Sequence, residues 1–426
     1  MRRLRGAFGI WGAGKLRTAP GRVASAARRR CAGVGGRATW PGAAFFLLAQ
    51  AGKSPYATAM NQTTFPIYLA CLPGLEAVIA QEAHELGLPA PIIVPGGVET
   101  TGTWPDIWRA NLWLRCASRV LVRLGQFRAL HLAQLDKRAR KFPWADFLRP
   151  DIPVRVDVTC TRSRIYHQKA AAQRIQTAIT ETLGASITLD ADLRLMVRID
   201  DDMVTVSLDT SGEGLHKRGH KLATGKAPLR ETMAAAFLNQ MGFDGTQPVI
   251  DPMCGSGTFI LEAAERAAGL PPGRTRTFAF ENLSSFEASA WAQMRQHSPQ
   301  TPPAQFFGFD RDQGVIQNAR ENAQRAGLED CTAFTCQPIS ALSRPDTPPG
   351  LIMVNPPYGG RIGNPARLFG LYATLGQVLR ENFAGWRLGL VTSERKLAHA
   401  TGLNLQPGPP IPHGGLKVQL FQSGPL

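Results

Sequence analysis

The sequence predicts an α/β protein whose C-terminal half is a doubly wound, largely parallel sheet with helices on both faces. Three observations predict it. Short apolar runs alternate with helical stretches from residue 248 to residue 392. Several of those runs end in glycine, an acid or Asn-Pro-Pro, and the carboxyl ends of parallel strands are where open α/β sheets bind ligands. Upstream, strict apolar–polar alternation marks half-buried strands of a different, smaller layer.

Taken in order, Pro66 to Cys71 reads as a short strand and Gly74 to Leu86 as an amphipathic helix closed by Gly87. Residues 92–99 form a second strand, 105–118 a helix with Pro105 in its first turn, and 119–127 a third strand. Val154-Arg-Val-Asp-Val-Thr-Cys160 alternates strictly and is a half-buried strand. Residues 167–183 follow as a helix stopped by Gly184. Leu195–Ile199 and Val204–Leu208 alternate again around Asp200-Asp201-Asp202, a hairpin. Residues 211–226 change composition, with five Lys, Arg or His from His216 to Lys221, and read as a linker.

The C-terminal half keeps one rhythm. Pro248–Asp251 is a buried strand, 258–268 a helix stopped by Gly269, Phe306–Asp310 a strand, and 312–326 a helix stopped by Gly327. Leu351–Asn355 is a strand, 367–383 a helix, and Arg387–Thr392 a strand.

Composition narrows the function classes. The net charge of +16 suggests nucleic acid, but it is concentrated at the front: residues 1–59 hold 11 Lys and Arg and no acid. Removing those 11 from the 48 leaves 37 basic side chains against 32 acidic ones, a mildly basic body. The Ala-, Gly- and Arg-rich front segment is expected to be disordered, as a translated leader, a mis-called start before Met60, or a transit peptide. Its Gly9-x4-Gly14-Lys15 fails as a phosphate loop, because Leu16 stands where Ser or Thr is needed and no apolar strand precedes it. Seven cysteines without a C-x-x-C argue against zinc or a disulfide framework, so no metal is expected and a reducing cytoplasm is. No apolar run is long enough to span a bilayer, and no membrane or obligate protein partner is expected.

Three strand ends carry chemistry. Asp251-Pro-Met-Cys-Gly255-Ser-Gly257-Thr258 joins a strand to a helix, with glycines that let backbone approach a ligand closely. Ile260 stands where a dinucleotide fingerprint needs its third glycine, so a nicotinamide or flavin site is disfavoured. Asp310 ends the next strand, placed either to accept from two ribose hydroxyls or to cap a helix. Asn355-Pro356-Pro357-Tyr358 ends a third, fully apolar run. A nucleobase amine is a poor nucleophile because its lone pair is delocalised into the ring. Two acceptors holding its N–H bonds re-aim that pair, and the Asn355 side-chain carbonyl and Pro356 backbone carbonyl fit the task. Tyr358 offers a face on which a base can stack.

Together with Gly214-Leu-His-Lys-Arg218-Gly219, Ala227-Pro-Leu-Arg-Glu231 and Arg361, these motifs resemble the THUMP-domain class I RNA methyltransferases, in particular the bacterial 23S rRNA guanine-N2-methyltransferase branch. The resemblance covers nearly everything from Met60 to about Gln419. It implies a ferredoxin-like segment (60–127), a THUMP RNA-binding domain (128–212), and a Rossmann-like methyltransferase domain (213–426) using S-adenosyl-L-methionine. It also implies that Asp251, Gly255, Gly257 and Thr258 bind the cofactor, that Asp310 holds its ribose, and that Asn355 to Tyr358 hold a guanine. The expected partner is 23S rRNA or a pre-ribosomal particle. One departure stands out: Pro338 sits where such enzymes carry an acid for the adenine amine, leaving Gln337, Ser340 or backbone to that task.

Arg162, Arg164, Tyr166 and Lys169, with Arg155 and Arg174, cluster between a strand and a helix and suit phosphates and an unpaired base. Arg361, beside the Asn-Pro-Pro-Tyr motif, suits a phosphate near the target. Two other readings compete. Asn-Pro-Pro-Tyr also resembles the motif of DNA adenine and protein glutamine methyltransferases, and a non-catalytic ribosome-assembly protein with a relic fold is the third.

Overall fold

The computed structural model describes residues 63–222, 229–359 and 365–426. The front segment through residue 59, part of the 211–226 linker, and Arg361 lie outside the described residues.

The N-terminal part is built on one continuous sheet. Strand β1 (Phe65–Ala70), helix α1 (Glu76–Glu85), strands β2 (Ile92–Val94) and β3 (Gly97–Gly102), helix α2 (Trp104–Trp113) and strand β4 (Arg119–Arg128) come first. Helix α3 (Leu132–Ala139), strand β5 (Val154–Thr161), helix α4 (Gln168–Leu183) and strands β6 (Leu193–Asp200) and β7 (Met203–Asp209) follow. The sheet order is β2-β3-β1-β4-β7-β6-β5, so the antiparallel β4–β7 pair welds two α+β layers into seven strands. The single strand expected over 92–99 is instead a hairpin. Gly96 turns at φ +78, and β2 pairs with β3 from Ile92↔Glu99 to Val94↔Gly97. The helix expected over 105–118 stops at Trp113, because Leu114 takes an extended conformation. The Asp-rich hairpin is present, with Asp201 and Asp202 both at positive φ in its tip.

The C-terminal part carries the doubly wound sheet. Helix α5 (Glu231–Gln240) precedes strand β8 (Val249–Asp251), helix α6 (Thr258–Ala267), helix α7 (Ala288–Met294) and strand β9 (Phe306–Asp310). Helix α8 (Gln313–Ala326), strands β10 (Thr332–Cys336) and β11 (Leu351–Val354), and helix α9 (Pro365–Asn382) come next. Strand β12 (Arg387–Thr392), helix α10 (Arg395–Ala400) and strands β13 (Gln406–Pro407), β14 (Ile411–His413) and β15 (Leu416–Pro425) finish the fold. The order is β10-β9-β8-β11-β12-β15-β13; the first five strands are parallel, and β15 returns antiparallel to β12. The chain runs outward from β8 through β9 and β10, then crosses back to β11. The strand order therefore reverses between β8 and β11, which opens a crevice at their carboxyl ends.

Local chemistry explains the helix ends. The Asp312 carboxylate accepts from Gly314 and Val315 amides at the start of α8, and left-handed Gly327 closes it. The two parts share a core: Trp108 of α2 stacks on Phe280 at 5.9 Å, and Phe280 meets Trp291 of α7 edge-on at 5.0 Å. No described helix is long and apolar enough to cross a membrane.

Candidate functional site

Adjacent parallel strands bring three of the motifs into one row. Asp310 ends β9, Asp251 ends β8, and Asn355 follows β11, so their strands stand side by side at the switch point. The glycine loop is tied to the first acid, because the Gly255 amide donates to Asp310 Oδ2 at 3.1 Å. Asp310 Oδ1 accepts from the Asp312 amide at 3.0 Å. Each carboxylate oxygen has a second lone pair, so Asp310 still has capacity for hydroxyl donors. Gly255 turns at φ +52, and a Cβ built there meets nothing within 4 Å: the loop borders open space. Gly257 differs. It caps α6 at φ +87, and a Cβ would come within 3.1 Å of the Phe334 ring.

Asp251 is buried, with Oδ1 accepting from the Met253 amide at 3.0 Å. Burial pushes its carboxyl well above the usual range; the Met253 amide opposes this and Asp310 adds to it. A folded pKa above the unfolded value means the folded chain holds the extra proton. This contribution is present below the unfolded value, about 4, and is lost as pH rises through the folded one. Asp251→Asn is expected to remove this component and raise the melting temperature at neutral pH. Melts of both proteins across the acid-to-neutral range check it, and parallel curves would refute it.

The Asn355 side-chain Oδ1 is buried and has no hydrogen-bond partner among the described residues. Such an acceptor, held dry and unsatisfied, costs stability and marks a place where a donor is meant to arrive. Pro356 is buried and Tyr358 is half-buried. Burial raises the Tyr358 phenol, so the ring is neutral at physiological pH.

Two residues that hold this loop were not foreseen. Tyr372 of α9, fully buried, donates to the Pro357 carbonyl at 3.3 Å and lies 3.4 Å from the Thr392 hydroxyl. Glu394 accepts from the Gly359 amide at 3.1 Å. Both come from elements beyond the motif, and only a buried tyrosine in an otherwise apolar helix face could have hinted at one. Thr258 opens α6, but its hydroxyl is engaged by Lys221 Nζ at 2.6 Å, which also pairs with Glu231 at 2.9 Å. The 211–221 stretch is therefore no exposed linker: Ser211, Arg218 and His220 are buried. Beyond β10, the Gln337 amide donates to the Asp310 carbonyl at 2.8 Å, and exposed Pro338 opens a single short helical turn, Ile339–Ala341.

The basic cluster of the N-terminal part gathers at one end of β5 and α4. Tyr166 is 81% exposed, a large aromatic face left in solvent. Arg162 and Arg164 are answered by the Asp-rich turn: Arg162 Nη2 lies 3.0 Å from Asp200, and Arg164 Nε lies 3.9 Å from Asp202. Lys169 is exposed in the first turn of α4.

Comparison with known proteins gives the same order of parts. Residues 66–121 match the RlmL ferredoxin-like domain, 131–209 the THUMP domain, and 218–406 the RMKL-like methyltransferase domain of UPF0020. The chain is 35% identical over 340 residues to the ribosomal RNA large subunit methyltransferase K/L of Aliivibrio fischeri, covering 76% of this chain and 48% of that protein. It thus spans about half the length of the curated relatives it matches. A predicted N6-adenine-specific DNA methylase from Listeria monocytogenes superposes with a TM-score of 0.76 at 30% identity, over 85% of this chain and 97% of that one. SMU.472, a putative methyltransferase complexed with SAH, gives 0.76 at 26% identity, over 86% and 99%.

Proposed function

Since the chain belongs to the THUMP-domain class I methyltransferases, with ferredoxin-like, THUMP and methyltransferase parts in that order, we propose that it transfers a methyl group from S-adenosyl-L-methionine to the N2 amine of a guanine in 23S rRNA, in the cytoplasm. The observation that carries the reading is the buried Asn355 Oδ1, without a partner among the described residues, at the crevice between β8 and β11.

The residues of the crevice fit the cofactor. Asp310 would take the ribose hydroxyls, and Gly255 and Gly257 would let the backbone approach. Asp251 would face the cationic methionine end, with Thr258 behind it. The open space over Gly255 and the spare lone pairs of Asp310 support this assignment. The cofactor supplies an electrophilic methyl; the protein aims the nucleophile. Asn355 Oδ1 and the Pro356 carbonyl accept the two amine hydrogens, which turns the lone pair out of conjugation. Neutral Tyr358 gives the base a stacking face. The guanine has to be unpaired or flipped out to reach these acceptors. The THUMP segment, with Tyr166, Lys169, Arg162 and Arg164, would hold RNA away from the crevice. Arg162 and Arg164 would exchange their aspartates for phosphates.

The Asn-Pro-Pro-Tyr chemistry serves an adenine amine equally well, and the Listeria relative is named for that substrate. The THUMP match favours RNA. The test is transfer from labelled S-adenosylmethionine to unmodified 23S rRNA, to DNA and to a release factor, with nucleoside analysis. N2-methylguanosine in the rRNA alone is expected. Label in DNA or protein instead would overturn the substrate.

Asp251 gives a second check. A cationic ligand favours its ionised form, so cofactor affinity is expected to fall as pH drops through the raised Asp251 value. Asp251→Asn should weaken binding by roughly 10- to 100-fold, the scale of a lost charged hydrogen bond. Calorimetry at several pH values would decide; equal affinity in the variant would remove Asp251 from the site.

A further inference from the structure

The molecule has two adjoining cavities outside the crevice, of about 580 Å³ and 390 Å³. They share Arg230, His413 and Gly414 as lining. One wall is the 213–222 segment, the other is the β14–β15 hairpin, and Arg230 stands at the start of α5 between them. This cleft takes in the basic motif around Arg218 that the proposed chemistry leaves without a task.

Its charges do not balance. Glu213 is paired with Lys217 at 2.5 Å, and Glu231 with Lys221 at 2.9 Å, so both acids of the lining are already answered. Arg230 and Lys417 are exposed, and neither has an ion-pair partner among the described residues. His216 and His413 face the cleft from opposite walls. Burial lowers both and the Arg230 charge adds to it, with Glu231 opposing at His216, so they are neutral donors and acceptors at physiological pH. Beside these polar groups lie the exposed side chains of Leu222 and Leu416. Unanswered cations interleaved with apolar surface match the alternation of phosphate and base along a single strand.

The position matters as much as the charge. Leu416 Cδ1 lies 3.5 Å from where a Cβ of Gly359 would stand, so the cleft abuts the residue that follows Tyr358. On the other side, Lys221 reaches Thr258 at the start of α6. A strand lying here would pass alongside the crevice.

We propose that the cleft between the 213–222 segment and the β14–β15 hairpin binds the sugar-phosphate backbone of the RNA next to the flipped-out target base, with Arg230 and Lys417 as its phosphate contacts. The proposal rests on the RNA reading given above. It makes the methyltransferase part itself a reader of substrate position, while the THUMP segment supplies the distant hold.

The test uses Arg230→Ala, Lys417→Ala and the double variant in the full chain, titrated with a protein-free 23S rRNA transcript across salt. Each single change is expected to lower affinity roughly five- to tenfold near 0.1 M salt and to make the salt slope shallower by about one. The KM for rRNA should rise in parallel, Arg230→Lys should recover most of the loss, and melting temperatures should not move. Wild-type affinity and slope in the double variant, in a protein that does methylate rRNA, would overturn the cleft alone. If the unsubstituted protein methylates no RNA, the reading it rests on falls with it.

Discussion

Asn355→Ala is expected to cut methyl transfer by about 10²- to 10³-fold, the usual cost of losing one pre-organised hydrogen-bonding group at a reacting centre, while leaving the melting temperature unchanged or slightly higher. The two halves of this result belong together. A buried carbonyl that already has a partner would take stability with it when removed. Asn355 Oδ1 is buried without one among the described residues, so its loss relieves an unsatisfied acceptor. The backbone of the loop is held independently, by Tyr372 at Pro357 and Glu394 at Gly359, so the substitution leaves the frame in place. Cofactor affinity should therefore stay within about twofold, since no Asp251 or Asp310 contact passes through Asn355. Single-turnover transfer with saturating rRNA, alongside melts and cofactor titrations, separates the effects. Full activity would remove Asn355 from the chemistry; a fall in melting temperature of several degrees would make it a structural residue.

The strand-end motifs were legible because each is local. Asp251, Asp310 and Asn355 each close a buried run, and once the sheet is doubly wound their tips have to share one edge. What makes them a site is not local. Tyr372 and Glu394 reach the loop from 15 and 35 residues away in sequence, and nothing in the residues themselves announces the pairing. Helix α5 escaped for a different reason: Thr232 through Leu238 are all buried, so it lacks the polar face that gives helical periodicity its signal. The stretch 92–99 reads as one strand because its apolar run continues into Val98 with only Pro95, Gly96 and Gly97 between, and the turn at Gly96 divides it. Ile92-Ile93-Val94 form the short edge strand β2, where Ile92 and Ile93 are more than half exposed. Likewise Arg162 and Arg164 read as free cations, because the aspartates that answer them lie 38 residues on, across the β6–β7 turn.

The basic stretch before α5 carries the largest expected stability effect. Five basic or histidine residues in six read as an interdomain linker and say nothing of burial, yet Arg218 is 2% exposed. Its Nε and Nη2 grip both oxygens of Glu262 at 2.9 and 3.1 Å, and its other bonds go to the carbonyls of Leu215 and Arg115. Burial works against the guanidinium charge, but Glu262 outweighs it and the group stays ionised. Arg218→Ala would leave Glu262 buried beside Glu265, with Arg115 3.8 Å away as its remaining cation. Breaking a buried pair from one side costs about 3–5 kcal/mol, roughly 4–7 °C in melting temperature for a protein of this size. Arg218→Met with Glu262→Leu should recover most of that, because neither charge is then stranded. Helix α6 starts at the cofactor loop, since Gly257 is its cap, and Glu262 sits on its second turn. Cofactor affinity should accordingly fall in the single variant and return in the double one. If the double variant melts as low as the single, packing of the long side chains, and not charge pairing, holds the basic segment to α6.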